Sequence, residues 1–384
     1  MKNIQLLNKI AAIGTDKLDK AVYNIGETVE NPDAIMVRSA AMHDMKFGSN
    51  LLAIARAGAG VNNIPIDRCS KEGIVVFNTP GANANGVKEL AICALMLASR
   101  DVVGGIKWAG TLETDVAKAV EKGKSKFAGV EIMGKTLGVI GLGAIGGMVA
   151  NAALALGMKV VGCDPFLSVD AAWKIDNHVV KGASFDEIFK TADYITLHVP
   201  STPDTKGMIN AATLATMKDG VRIINLARAD LVNSADLKAA LESGKVASYV
   251  TDFPTEETIN VQGIVAIPHL GASTAEAEDN CAVMAALQLD DYLANGNIKN
   301  SVNFPNVEMP KSGDARICVL HANVPAVISG ITTALSEAGA NIENMINKSK
   351  GDNAYTLVDV TGAVGTDVAE KISAIDGVVK VRVI

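Results

Sequence analysis

With 384 residues, 49% of them apolar and 20% charged, the chain is long enough for two to three domains, each with a core of its own. Its aliphatic composition, with only 4% aromatic residues and 35 glycines, excludes a disordered chain and an aromatic-rich β-sandwich. Its 35 basic and 42 acidic residues leave a charge of −7, which speaks against non-specific binding to nucleic acid or to an anionic membrane.

The longest apolar run, Ala91 to Ala98, falls far short of the roughly 18–20 residues that cross a bilayer. Asn8 and Lys9 interrupt the start, so no secretory leader is expected. The cysteines, at 69, 93, 163, 281 and 318, show neither disulfide nor zinc spacing, and no metal site is expected. A soluble, cytoplasmic protein is predicted.

In chain order, Ala34 to Val37, Leu52 to Ala55 and Val75 to Phe77 read as strands, and Val87 to Ser99 as a nearly all-apolar, buried helix. Thr136 to Ile140 is a strand that runs into Gly141-Leu142-Gly143-Ala144-Ile145-Gly146. A helix with Ile145, Met148, Val149, Ala152 and Leu156 at helical spacing follows, and Gly157 stops it. Strands are expected at Lys159 to Gly162, Tyr194 to Val199, Val221 to Leu226, Ala247 to Thr251 and Ile264 to Ile267. Ser234 is expected to cap one helix, and Ser273 with Glu276 to open another that runs to about Ala294. Alternating strands and helices call for a doubly wound parallel sheet. Asn295 to Ser312 reads as a connecting segment, with 305–312 as the linker proper. The last 70 or so residues form a βαββα-like unit: strand Arg316 to Leu320, helix Ala326 to Ala338, strand Ala354 to Val360, helix Thr366 to Ala374 and strand Val378 to Val383.

The glycine run carries the first chemistry. Gly141 permits a tight turn, Gly143 a close approach to a pyrophosphate, and Gly146 close packing of helix on strand. The helix start at Ala144 and Ile145 offers free N–H groups to phosphates. Asp164, at the end of the next strand, suits a ribose diol and repels a 2′-phosphate, so NAD is favoured over NADP. His198-Val199-Pro200 and Asn225-Leu226-Ala227-Arg228 end two more strands on the same side. Arg228 presents a fork suited to a carboxylate. His269, in Pro268-His269-Leu270-Gly271, can exchange the proton that oxidation of an alcohol releases, with Glu256 or Glu257 upstream as its carboxylate partner.

On these motifs the chain resembles the D-isomer-specific 2-hydroxyacid dehydrogenases over about its first 305 residues, and an ACT domain over 313–384. The resemblance implies a Rossmann-type NAD-binding domain at 85–274. It would be inserted in a smaller flavodoxin-like α/β substrate domain at 1–84 and 275–304, with a ferredoxin-like ACT regulatory domain at the end. It also implies a catalytic triad of Arg228, Glu256 and His269. The family's Asp-Val-Phe-x-x-Glu-Pro stands here as Asp252-Phe253-Pro254-Thr255-Glu256-Glu257, so counting from Phe253 selects Glu256 and counting from Asp252 selects Glu257. Asp252, Ala227 and Gly271 join the cofactor-side residues.

Arg56-Ala57-Gly58-Ala59-Gly60-Val61 resembles the family loop whose backbone binds the substrate carboxylate. Arg38, Ser39 and Asn83 match positions facing a substrate phosphate, and Lys126 can add charge. The implied reaction is NAD-dependent oxidation of D-3-phosphoglycerate to 3-phosphohydroxypyruvate, the first step of L-serine biosynthesis. Alternatives are a hydroxypyruvate, glyoxylate or other 2-hydroxyacid reductase, and an NAD-sensing co-repressor. His321, Asn323 and Asn341 match an L-serine effector site, with Ala326 where that loop usually has Gly. The apolar helix and the small tail unit imply a homodimer or homotetramer.

Overall fold

The computed structural model describes residues 1–362 and 365–384, which divide into two compact units: Met1–Asn83 with Glu278–Ile384, and Ala84–Ala277. The first unit opens with strands β1 (Lys2–Leu7), β2 (Tyr23–Gly26), β3 (Ala34–Val37), β4 (Ala53–Arg56) and β5 (Val75–Phe77). They form a parallel sheet in the order β2-β1-β3-β4-β5. The order reverses between β1 and β3, and in such sheets ligands gather beyond the strands' carboxyl ends at that point. Burial of β3 on both faces explains its unbroken Ala-Ile-Met-Val run.

The second unit holds β6 (Thr136–Ile140), β7 (Lys159–Cys163), β8 (Val180–Lys181), β9 (Tyr194–Leu197), β10 (Val221–Asn225), β11 (Val246–Thr251) and β12 (Ile264–Ala266). They make a seven-stranded parallel sheet, β12-β11-β10-β9-β6-β7-β8, whose order reverses between β6 and β9. Adjacent residues Tyr194 and Ile195 belong to different apolar clusters, as a strand covered on both faces requires. The apolar helix spans Ala84–Ser99 and buries Val87, Ala91, Ala94, Leu95 and Ala98. Two caps differ from expectation. Asn233, not Ser234, caps Ser234–Glu242, its Oδ1 accepting from the N–H groups of Ala235 and Asp236. At the helix Ala275–Asn295 it is Thr274 Oγ1 that accepts, from Ala277 N–H at 3.1 Å. In both cases the side chain one turn-position away has the better reach to the free amides.

The tail adds β13 (Ala315–Ala322), β14 (Asn341–Lys350), β15 (Asn353–Thr361) and β16 (Val378–Val383). The sheet is antiparallel, ordered β14-β15-β13-β16, with helices Val327–Glu337 and Thr366–Ser373 completing a βαββαβ, ferredoxin-like unit. Strand β14 was not expected, because Asn-Ile-Glu-Asn-Met-Ile-Asn-Lys-Ser-Lys is polar and mostly exposed at the sheet edge. One face of this sheet joins the core of the first unit: Cys318, Leu320, Tyr355 and Leu357 cluster with Ile4, Ala34, Phe77 and Tyr292. Tyr355 Oη donates to Gly296 O at 2.6 Å, and Lys380 Nζ to Leu51 O at 2.8 Å. The segment read as a linker is pinned as well, with Val307 and Met309 buried and Ile298 paired to Val307. Among the described residues no helix is long and apolar enough to cross a membrane.

Candidate active site

In the second unit, β6 delivers the chain to Gly141, whose φ of +89° is a conformation few side chains tolerate. A Cβ at Gly146 would lie 1.9 Å from Gly141 O, so the helix Ala144–Ala155 can start this close to the strand only because residue 146 is glycine. Gly143 differs: a Cβ there meets no protein atom within 4 Å. No side chain caps the helix start, which leaves its N–H groups and positive dipole end for an anion. Asp164, just past β7, accepts from Leu142 N–H through Oδ2 and from Phe166 N–H through Oδ1, both at 2.9 Å. Each oxygen keeps a further lone pair for a sugar hydroxyl. His198, just past β9, sets Nε2 2.9 Å from Thr196 Oγ1, and burial lowers its imidazole to about 4, so the ring is neutral. Val199 and Pro200 follow it into the loop. Free amides, an open space over Gly143 and an oriented carboxylate fit a dinucleotide.

At the ends of β10 and β11 a second set assembles. Buried Asn225 accepts through Oδ1 from the N–H groups of Ala227 (3.1 Å) and Arg228 (3.3 Å), and donates through Nδ2 to Arg228 O (2.8 Å) and Tyr249 Oη (3.1 Å). The Arg228 side chain is exposed, its Nη1 donating to Ala227 O at 2.7 Å and its guanidinium carbon 5.9 Å from the Phe253 ring centre. The His269 ring lies 4.6 Å from the same phenyl ring at 45°. His269 has φ +42°, a strained conformation for a residue with a side chain.

Asp252 grips the turn on both sides of that strain. Its backbone O accepts from His269 N–H at 2.9 Å, and its Oδ2 accepts from Gly271 N–H at 3.0 Å. Asp252 is only 1% exposed and its Oδ1 has no partner. Burial pushes its carboxyl above the usual carboxylate range, against the pull of Gly271 N–H, His269 and Arg228. The structure thus brings Arg228, His269, Asp252 and Phe253 together.

Neither glutamate joins them: among the described residues Glu256 and Glu257 make no hydrogen bond or ion pair with His269. A turn closed by Thr255 N–H to Thr258 Oγ1 (2.9 Å) and Thr258 N–H to Thr255 O (3.0 Å) leaves both exposed. Lys126 is exposed in the short turn Lys124–Phe127. Asn225 and Phe253 were missed as site residues, although an Asn and a Phe at two neighbouring strand ends were the available signal.

In the first unit, Arg38 and Ser39 follow β3 at the switch point. Asn8 Oδ1, past β1, accepts from the N–H groups of Ser39 (3.0 Å) and Ala40 (2.8 Å). Arg56 ends β4 and donates from Nε to Arg38 O at 3.1 Å. Gly58, at φ +152°, has no room for a Cβ because the Arg56 guanidinium lies on it. Among the described residues the N–H groups of Ala59 and Gly60 have no acceptor within the protein, an arrangement suited to an anion. Asn83 is half-buried. In the tail, His321 is buried, with Nδ1 2.8 Å from Ala322 O and Nε2 2.9 Å from Thr356 Oγ1. Asn323 Nδ2 donates to Gly351 O at 3.2 Å and Asn341 Nδ2 to Glu343 Oε1 at 2.8 Å.

The second unit is therefore a Rossmann-type dinucleotide-binding domain with a histidine and an arginine at its strand ends. Residues 95–272 match the family described as "D-isomer specific 2-hydroxyacid dehydrogenase, NAD binding domain". Residues 95–272 thus carry the NAD-binding domain of the D-isomer-specific 2-hydroxyacid dehydrogenases, and the cofactor is NAD. It is 37% identical over 316 residues to a D-3-phosphoglycerate dehydrogenase of Synechocystis sp., an alignment covering 79% of this chain and 54% of that one. It is also 37% identical over 289 residues to that of Archaeoglobus fulgidus, covering 72% and 52%. Among solved structures, the NAD+-bound 3-phosphoglycerate dehydrogenase of Entamoeba histolytica superposes with a TM-score of 0.61 at 28% identity, covering 79% of this chain and 98% of that one. The chain spans about half the length of the curated relatives it matches.

Proposed function

We propose that the chain oxidises D-3-phosphoglycerate to 3-phosphohydroxypyruvate. The observation that carries this reading is the assembly of His269 and Arg228 about the Phe253 ring in the NAD-binding domain. NAD, held at Gly141, Gly143, Ala144, Ile145, Gly146 and Asp164, supplies the hydride acceptor when bound. His269 takes the substrate hydroxyl proton on an imidazole nitrogen. Arg228 clamps the carboxylate and the carbonyl oxygen that forms beside it. Glu256 is the carboxylate assigned to stabilise the imidazolium. Asp252 holds the turn that aims His269.

The free amides of Ala59 and Gly60 support binding of the substrate carboxylate in the first unit, and Arg38, Ser39, Asn83 and Lys126 are assigned to the phosphate end. The ferredoxin-like tail supports an ACT-type regulatory role, with L-serine at His321, Asn323 and Asn341. A homodimer or homotetramer is supported by the helix Val102–Ala109, which buries no residue and leaves Ile106 67% exposed.

The test is NADH formation from D-3-phosphoglycerate, with D-glycerate and D-lactate as controls and each repeated with L-serine. Turnover of the phosphorylated acid alone, lost by about 10²–10⁴-fold in His269→Ala, is the expected result. Turnover of none of the three while NAD still binds would overturn the reading.

A further inference from the structure

The carboxyl edge of the first sheet concentrates positive charge. Arg38 follows β3 and Arg56 ends β4, with Val37 and Arg56 paired in register. Arg56 Nε donates to Arg38 O at 3.1 Å, which locks the two backbones together. Burial first, and then the charge of Arg38, pulls Arg56 below the usual arginine value, as expected of two guanidiniums crowded at one edge. Asn8 already occupies the N–H groups of Ser39 and Ala40, so the turn just past β3 offers an anion neither of these amides. The guanidinium of Arg38 is the group that remains, and it is not free. Glu278, on the helix Ala275–Asn295, accepts a hydrogen bond from Arg38 Nη2.

That ion pair has a particular character. Both side chains are 44% exposed, and half-exposed pairs of this kind add little stability, so they exchange partners readily. Yet Glu278 carries the same sign as any anion that replaces it at Arg38. An incoming singly charged group gains no more from Arg38 than Glu278 already does. A doubly charged phosphomonoester gains about twice the attraction and brings several oxygens to the planar fork.

We propose that Glu278 is a specificity-determining residue, the resident counter-ion that Arg38 exchanges for a doubly charged phosphate group and keeps against singly charged acids. The inference rests on the assignment of Arg38 to the phosphate end of the substrate.

The experiment is steady-state kinetics of the full chain at saturating NAD, comparing the parent with Glu278→Gln, Glu278→Asp and Arg38→Ala, each checked for an unchanged melting transition. Glu278→Gln keeps the shape and removes the charge. It is expected to lower KM for D-3-phosphoglycerate by roughly 3–10-fold and to strengthen inhibition by inorganic phosphate to the same extent, as removal of one half-screened like charge implies. Its kcat stays within about twofold, because the residue does not touch the reacting carbon. Glu278→Asp keeps the charge and stays near the parent KM. Arg38→Ala raises KM by roughly tenfold or more. If Arg38→Ala raises KM while Glu278→Gln leaves it unchanged or raises it, the counter-ion role is wrong and the phosphate assignment stands. If Arg38→Ala leaves KM unchanged, the phosphate assignment fails and the role of Glu278 falls with it.

Discussion

Asn225 holds the backbone of Arg228 with both ends of its amide, accepting from Arg228 N–H and donating to Arg228 O, while its own side chain is fully buried. The exposed guanidinium therefore stands on a rigid base at the end of β10. Asn225→Ala would leave two backbone N–H groups and Arg228 O without that partner. The expected cost is about 1–3 kcal/mol of stability, read by chemical denaturation. The loss in kcat/KM should be roughly 10–100-fold, as for other displaced substrate clamps. A variant with full activity would show that Arg228 needs no such support.

Asp252 is placed for function at a cost to the fold. Because burial raises its folded-state carboxyl above the unfolded value, its contribution to stability is greatest below the ordinary carboxylate range and declines as pH rises through it. Asp252→Asn removes the charge, and its amide oxygen can still accept from Gly271 N–H. The variant is expected to melt a few degrees higher than the parent near pH 7–8, with the gap closing toward about pH 4. Activity should fall, since the electrostatic support of His269 and Arg228 goes with the charge. A lower melting temperature at pH 8 would contradict this account.

The two glycines of the dinucleotide turn should fail differently. At Gly146 a Cβ collides with Gly141 O, so Gly146→Ala is expected to unfold or rearrange the second unit. At Gly143 a Cβ meets nothing in the protein. Gly143→Ala should fold normally and weaken NADH binding by roughly tenfold or more, about the worth of one charge-assisted hydrogen bond. Melting curves and NADH fluorescence titrations separate the two effects.

Arg316 and Asp359 form a doubly hydrogen-bonded pair in the tail sheet, at 2.6 and 2.8 Å, with both side chains fully buried. Arg316 also donates from Nη1 to Asn295 O at 2.8 Å. Burial pushes the Asp359 carboxyl up, but Arg316 and Ser312 outweigh it and hold the group below its usual value. Its stabilisation is thus present above the ordinary Asp value and lost as pH falls through the folded one. Arg316→Met leaves the carboxylate unpaired and should cost about 3–5 kcal/mol. In the parent, melting should become steeply acid-sensitive only below about pH 4.

Ala326 sits before the helix Val327–Glu337 at φ +71°, where a methyl group is strained. Ala326→Gly should stabilise the tail by about 1 kcal/mol in denaturant titrations. No gain would mean that the turn relaxes around the methyl group.

The outline of both parallel sheets was legible in the sequence because their strands are covered on two faces and appear as continuous apolar runs, as at Ala34–Val37 and Thr136–Ile140. The inner strand β1 and the edge strands β8 and β14 were not. Strand β1 mixes Lys2, Asn3 and Gln5 into its run, β8 has two exposed residues, and β14 is polar almost throughout, so backbone pairing rather than side-chain pattern makes them strands. The tail's six elements were foreseeable except β14. Its packing on the first unit was not, since Tyr355 and Tyr292 meet only through contacts distant in sequence.

What the sequence determined by itself was the chemistry available at strand ends: the glycine turn, Asp164, Arg228 and a histidine in a Pro-His-Leu-Gly turn. These depend on local backbone demands and on residue types at fixed offsets. Only the tertiary structure decided which carboxylate is buried beside His269, that Phe253 lies against both His269 and Arg228, and that Glu278 neutralises Arg38. Each of these pairings joins residues brought together by sheet order and helix packing, and spacing along the chain carries no information about such distances.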